Sequence, residues 1–361
     1  MPSSLLSPSL ARECEAVVPV DTARMDIAQT RLDSLTKPLG SLGRLEDMAR
    51  QLYGIQGKAP LEARPARMFT IAGDHGVVAE GVASSPKEVT VLMVLNFLRG
   101  GAGVNCLCEA AGADIRVVDA GVDAEPFQPH PRLIDAKIAR GTANMAKDPA
   151  MTLEQCARAL QLGIDLAETA RQEGIRVLGT GEMGIGNTTP SSALFCAYLG
   201  FSALDMTGMG AGIPPAGLGH KTKIIQQSLD VNREAVAGGD PIAVLAALGG
   251  FEIAALAGLI IGGAARNMAV MIDGFIATAA YVAAVRLAPA VRDYCFFCHG
   301  SAEAGHGRVL EALGQKPLLD LGMRLGEGTG AALGFTLLDA AARIYNDMAT
   351  FESAGISLEN T

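Results

Sequence analysis

The chain has 361 residues, 49% of them hydrophobic and 19% charged, with a formal net charge of −9. That is a globular composition, long enough for one large domain or two, and its acidity argues against nucleic acid or an anionic membrane as the main partner, since both recruit Lys and Arg clusters. Seven cysteines, an odd number in a long chain, do not read as a disulfide framework and point to a reducing cytoplasm.

The opening MPSSLLSPSL lacks a basic region followed by an apolar core, so no export signal is read there. Residues 1–60 read as helices and loops. Residues 26–35 carry Ile27, Leu32 and Leu35, and the turn at 37–43 leads into a helix with Leu45, Met48, Ala49 and Leu52 on one side. Composition shifts near 60–65, a candidate boundary. Five short apolar strands follow, at 68–72, 115–118, 175–178, 269–272 and 295–298, and each runs into a polar turn. Those turns are Gly73-Asp74-His75-Gly76, Asp119-Ala120-Gly121, a glycine loop from Gly179, Asp273-Gly274 and His299-Gly300-Ser301.

Helical patterns separate the strands. The clearest opens with Thr152 and Gln155, a capping box; it carries Leu153, Cys156, Leu160, Ile164 and Ala167 on one face and ends at Gly174. The most apolar region, 242–291, is cut by Glu252, Arg266, Asp273 and Arg286 into pieces shorter than the ~18 residues a membrane span needs, so it reads as buried core. A long apolar helix is expected over 331–348. Strands alternating with helices imply a parallel α/β sheet with right-handed crossovers, whose ligands bind beyond the carboxyl ends of the strands.

The stretch Gly179-Thr180-Gly181-Glu182-Met183-Gly184-Ile185-Gly186-Asn187-Thr188-Thr189-Pro190 is a candidate phosphate cradle. Its glycines allow close backbone approach and its amides face a helix start, which carries partial positive charge. Gly179, Gly181 and Gly184 also match G-x-G-x-x-G, with Asp205 further on, so a dinucleotide-dependent oxidoreductase is the alternative. Against it, Glu182 would press a carboxylate toward a pyrophosphate, and residues 186–190 delay the helix. A purely structural turn is the third reading. Cys295-Phe296-Phe297-Cys298-His299 has the haem-attachment spacing but sits in an apolar strand and reads as two buried thiols. Asp74-His75 lacks a third metal ligand. Glu327, between Gly326 and Gly328 at the mouth of a helix, is a candidate base, because burial raises a carboxyl pKa.

Taken together, KPLGSLGRLE (37–46), AGDHGV (72–77), EGVASSP (80–86), GTGEMGIGNTTP (179–190), MIDGF (271–275), SAEAGH (301–306) and RLGEGTGAAL (324–333) resemble the nicotinate-nucleotide–dimethylbenzimidazole phosphoribosyltransferase family across roughly residues 21–350. The resemblance implies a Rossmann-like parallel sheet with helices on both faces (63–302) and a smaller helical domain built from both chain ends (1–62 and 303–361). It implies a homodimer that moves the phosphoribosyl group of nicotinate mononucleotide to 5,6-dimethylbenzimidazole, without a metal or other cofactor. It places the base at Glu327, and Glu182 near the ribose. The 5′-phosphate falls on Gly184, Ile185, Gly186 and Asn187, with Lys221 and Ser301. The aromatic base falls against Ser85, Met93 and Leu325, and Asp74 and His75 are possible supports. Some family members have Gln where this chain has Met93, which opens the choice of base to other benzimidazoles, purines or phenols.

Overall fold

Six strands pair side by side as one parallel sheet: β1 (Ala66–Gly73), β2 (Asp114–Gly121), β3 (Leu133–Asp135), β4 (Val177–Met183), β5 (Ala269–Ile272) and β6 (Cys295–Phe297). The computed structural model describes residues 5–210 and 212–356; residues 1–4, within the segment read for an export signal, and 357–361, at the end of the expected small domain, lie outside it. The strand order is β3-β2-β1-β4-β5-β6. This is the doubly wound order, which reverses between β1 and β4 and opens a crevice at their carboxyl ends. Every residue of β1 is buried, as expected of a strand covered on both faces.

The covering layers follow from side-chain alternation. Leu178 faces the helix Phe251–Ala265, where a Cβ on Gly263 would lie 3.0 Å from its Cδ1; Gly179 faces the helix Thr329–Asp347, where its own Cβ would lie 2.6 Å from Phe335. The apolar region 242–291 is therefore core: every residue from Phe251 to Ala264 is buried. That helix packs tightly against Leu153–Gln172, and a Cβ on Gly163 or Gly258 would stand 1.9 Å from the other helix's backbone. The capping box forms in both directions, Gln155 N–H to Thr152 Oγ1 at 3.1 Å and Thr152 N–H to Gln155 Oε1 at 2.9 Å. Leu153, expected on the buried face, is instead 43% exposed in the first turn.

One further expectation changes, and one strand is added to the five expected. β4 starts at Val177 and runs to Met183, so Gly179 and Gly181 belong to a strand rather than a loop. β3 has three residues, none of them fully buried, and lacks the apolar run that marks its neighbours. The apolar stretch Glu88–Ala111 is long enough to span a bilayer by composition. Gly100, at φ 82°, breaks it into helices of 12 and 9 residues, shorter than the ~20 a span needs.

The chain ends meet in a helical layer. Arg31 Nε donates to Tyr345 O at 2.7 Å, Leu35 bridges Thr350, and Asn346 exchanges hydrogen bonds of 2.8 and 3.0 Å with Leu61.

Candidate active site

A cavity of about 340 Å³ lies over the carboxyl ends of β4, β5 and β6, within the usual range for a small-molecule site. Glu182, Asn187, Asp273, His299, Ser301 and Glu327 are among its lining residues, so the polar turns that follow three separate strands share one wall.

Glu327 is placed by its backbone. Gly326, Glu327 and Gly328 have φ of 80°, 64° and 101°. The left-handed region costs a non-glycine residue roughly 1–2 kcal/mol and is held here by surrounding contacts. Thr70 Oγ1, on β1, donates to Glu327 O at 3.0 Å, and the Glu327 N–H donates to Glu182 Oε1 at 3.3 Å. Gly181 explains why β4 needs a glycine: a Cβ there would lie 2.3 Å from Glu327 O. On the far side, Glu327 Oε2 accepts the Val104 N–H at 3.1 Å, at the start of the helix Gly103–Ala111. That helix start favours the ionised carboxylate, but burial dominates and raises the Glu327 pKa above the ordinary value.

Glu182 ends in two contacts, the Glu327 amide at Oε1 and the Asn187 side-chain amide at Oε2. Burial pushes its carboxyl up to about 8, opposed by the Asn187 hydrogen bond and reinforced by the charges of Asp273 and Glu252. Asp273, at the end of β5, accepts the Gly330 and Ala331 N–H groups at 2.6 and 3.1 Å. It thereby caps the helix that follows Glu327 and fixes where that helix starts.

The candidate anion loop is narrower than the glycine pattern suggests. The Ile185 N–H is used by Thr90 Oγ1 at 3.2 Å and the Asn187 N–H by Gly184 O at 3.1 Å. The amides of Gly184 and Gly186 have no backbone partner among the described residues, and both glycines line the cavity. Ser301 and Met93 line the wall, as does Leu325, 60% exposed at the rim.

Four of the expected residues do not line the cavity. Lys221 lies buried one side chain behind it, with Nζ donating to Thr188 Oγ1 at 2.7 Å and Gly208 O at 3.2 Å; burial pulls its pKa down to about 8. Ser85 is half-buried on its loop, which sends Val82 and Ala83 to the cavity instead. Asp74 and His75 lie beneath the loop. His75 Nε2 is 2.7 Å from Glu252 Oε1 and 3.1 Å from where a Gly184 Cβ would stand. Burial alone would lower the His75 pKa, but the Glu252 carboxylate and its hydrogen bond outweigh it, and the net direction is upward. Asp74 Oδ2 accepts the Asp123 N–H at 2.8 Å.

Sequence reasoning assigned no part to Thr70, Thr90, Val104, Glu252 or Asp273. For Asp273 a signal existed, an acidic residue and glycine directly after a strand; the others look like ordinary strand or helix residues.

The dinucleotide alternative fails on topology. In this strand order the fingerprint glycines follow β1, whereas here Gly179 and Gly181 lie inside β4 and Gly184 directly after it, and Asp205 is bound at the surface to Ser202 and Arg308. Cys295 and Cys298 are both buried thiols whose pKa values burial raises. Among the described residues no group of three or more His, Cys, Asp or Glu side chains is arranged to hold a metal ion.

A doubly wound sheet whose carboxyl-end cavity gathers an acidic, glycine-flanked turn and a glycine loop has the form of a small-molecule enzyme of the α/β class. The sequence profile of the family described as DBI_PRT, phosphoribosyltransferase, matches residues 17–356, and the chain belongs to that family. It is 58% identical over 352 residues to the nicotinate-nucleotide–dimethylbenzimidazole phosphoribosyltransferase of Solidesulfovibrio magneticus, covering 98% of this chain and 99% of that one. It is 52% identical over 353 residues to the enzyme of the same name from Geobacter sp. strain M21, at 98% and 99% coverage. The crystal structure of CobT from Thermus thermophilus superposes with a TM-score of 0.88 at 44% identity, covering 93% of this chain and 99% of that chain.

Proposed function

We propose that this protein transfers the phosphoribosyl group of nicotinate mononucleotide to 5,6-dimethylbenzimidazole or a related base. The products are α-ribazole 5′-phosphate and nicotinate, and the product supplies the lower ligand of cobalamin. The observation that carries this reading is the seating of Glu327 on Glu182 in the cavity that also holds Gly184, Gly186 and Ser301.

The chemistry suits these groups. Nicotinate in the nucleotide is a pyridinium, so it leaves with the bonding electron pair as a neutral ring and needs no proton. One benzimidazole nitrogen attacks the anomeric carbon from the opposite face, with inversion, while the other loses its proton to Glu327. A positioned base contributes ~10²–10⁴ in rate, and holding both substrates in line contributes up to ~7–11 kcal/mol. Glu182, close to the ribose, holds the Glu327 turn and the Asn187 side chain in place beside the sugar. Gly184 and Gly186 amides and the Ser301 hydroxyl hold the 5′-phosphate, while Lys221 supports Thr188 from behind. Met93 and Leu325 give the aromatic base an apolar wall that reads shape rather than hydrogen bonds.

The same reading makes the protein a cytoplasmic homodimer with its small domain formed from 1–62 and 303–361. The interlocked chain ends and the 62%-exposed Leu92 on the helix Glu88–Arg99 are consistent with that arrangement. Incubating the purified protein with nicotinate mononucleotide and a panel of benzimidazoles, purines and phenols tests the function. Formation of α-ribosyl phosphate products supports it, and absence of product with every base rejects it.

A further inference from the structure

The segment SAEAGH ends in a histidine that the mechanism does not use. His306 is fully buried, with 0% exposure, and both ring nitrogens are engaged. Nδ1 accepts the Ser301 N–H at 2.9 Å, so the ring hydrogen sits on Nε2. Nε2 lies 3.0 Å from Thr278 Oγ1 and donates to it, and the Thr278 hydroxyl donates to Gly274 O at 2.8 Å. The ring stands edge-on to Phe275, 6.1 Å between centroids. Burial pushes the His306 pKa down to about 3, which keeps the ring neutral, and the Ser301 N–H fixes its tautomer.

Ser301 and Gly274 leave different strands, β6 and β5, and both line the cavity. Three hydrogen bonds in series therefore tie two strand exits together at the wall. The Ser301 amide is spent on His306, and Ser301 Oγ accepts the Glu303 N–H at 3.2 Å. The hydroxyl hydrogen is what remains for a ligand, and a hydroxyl donates well to an anion.

We propose that His306 is a positioning residue for phosphate recognition: through Ser301 on one nitrogen and Thr278 on the other, it sets the Ser301 hydroxyl as a donor to the nucleotide's 5′-phosphate. This rests on the function proposed above and assigns a new residue to it.

The test is the ratio of kcat/KM for nicotinate mononucleotide to that for nicotinate riboside, which lacks the phosphate. His306→Leu removes both hydrogen bonds, and the ratio falls about tenfold or more. His306→Asn places an amide oxygen near the position of Nδ1, keeps the Ser301 bond and recovers most of the ratio. Should His306→Leu fail to fold, Thr278→Val, which deletes one hydroxyl, lowers the ratio several-fold. An unchanged ratio in a folded variant, or equal losses in the Leu and Asn variants, overturns the proposal, because a merely structural histidine lowers kcat for both substrates alike. Wild-type turnover tests the earlier function separately. Calorimetric binding of ribose 5-phosphate, weakened about tenfold in His306→Leu and unchanged if the proposal is wrong, needs no turnover.

Discussion

The backbone N–H of Glu327 donates to the Glu182 carboxylate at 3.3 Å, so two acidic residues 145 positions apart in the chain form one unit at the crevice between β1 and β4. The end of β4 supplies the seat, and the positive-φ turn at 326–328 supplies the group that sits in it. A carboxylate between two glycines has little packing purpose, and its placement over a strand glycine accounts for both features.

The contact makes Gly181 a sensitive position. A Cβ there would meet Glu327 O at 2.3 Å and Thr70 Oγ1 at 2.9 Å. Gly181→Ala lowers stability by about 1–3 kcal/mol, the usual overpacking range, and lowers kcat about 10- to 100-fold by displacing Glu327. Denaturant unfolding and steady-state kinetics on the same preparation check both; full activity would mean that the turn tolerates displacement.

Glu182 links stability to pH. Its folded-state pKa, about 8, is raised above the ordinary 4.5, so the folded protein holds this proton more tightly than the unfolded chain. The associated stability is fully present below pH 4.5 and is lost as pH rises through about 8. Glu182→Gln keeps a hydrogen-bond acceptor but carries no charge. Its melting temperature relative to wild type therefore rises from pH 5 and levels off above about pH 8, and thermal scans from pH 5 to pH 9 measure the trend. A difference independent of pH would show that Glu182 titrates normally.

Met93 is placed on the wall beside the rim residue Leu325. Met93→Ala removes apolar contact with the acceptor ring and raises KM for the base about tenfold, while KM for nicotinate mononucleotide stays within about twofold. Varying each substrate at saturation of the other separates the two. An equal rise in both would place Met93 in the scaffold.

Much of this was legible in the residues because the polar groups that matter stand directly after apolar runs. Glu327 is a candidate base from its position alone, the turns that hold Glu182, His299 and Ser301 fall on one rim, and the alternation of strands and helices implies the parallel sheet; the roles of Glu182 and Ser301 come only from the family resemblance. What stayed hidden depends on partners distant in the chain. Thr70 looks like any β-branched strand residue until Glu327 O is found against it. Gly179 and Gly181 read as part of a glycine loop because a glycine required by close packing and one required by a turn look the same in one dimension. Ser85 and Lys221 were carried by motif resemblance, and their displacement from the wall reflects side-chain layering that no spacing encodes. The edge strand β3 has too few apolar residues to announce itself.

The central claim is that Glu327 accepts the proton released by the attacking base. Product formation from nicotinate mononucleotide and dimethylbenzimidazole by Glu327→Gln, assayed beside wild type at saturating substrate, tests it most directly. The account predicts a kcat lower by about 10²–10⁴, a KM for the nucleotide within a few-fold of wild type and an unchanged melting profile. A folded Glu327→Gln protein turning over at the wild-type rate would contradict it.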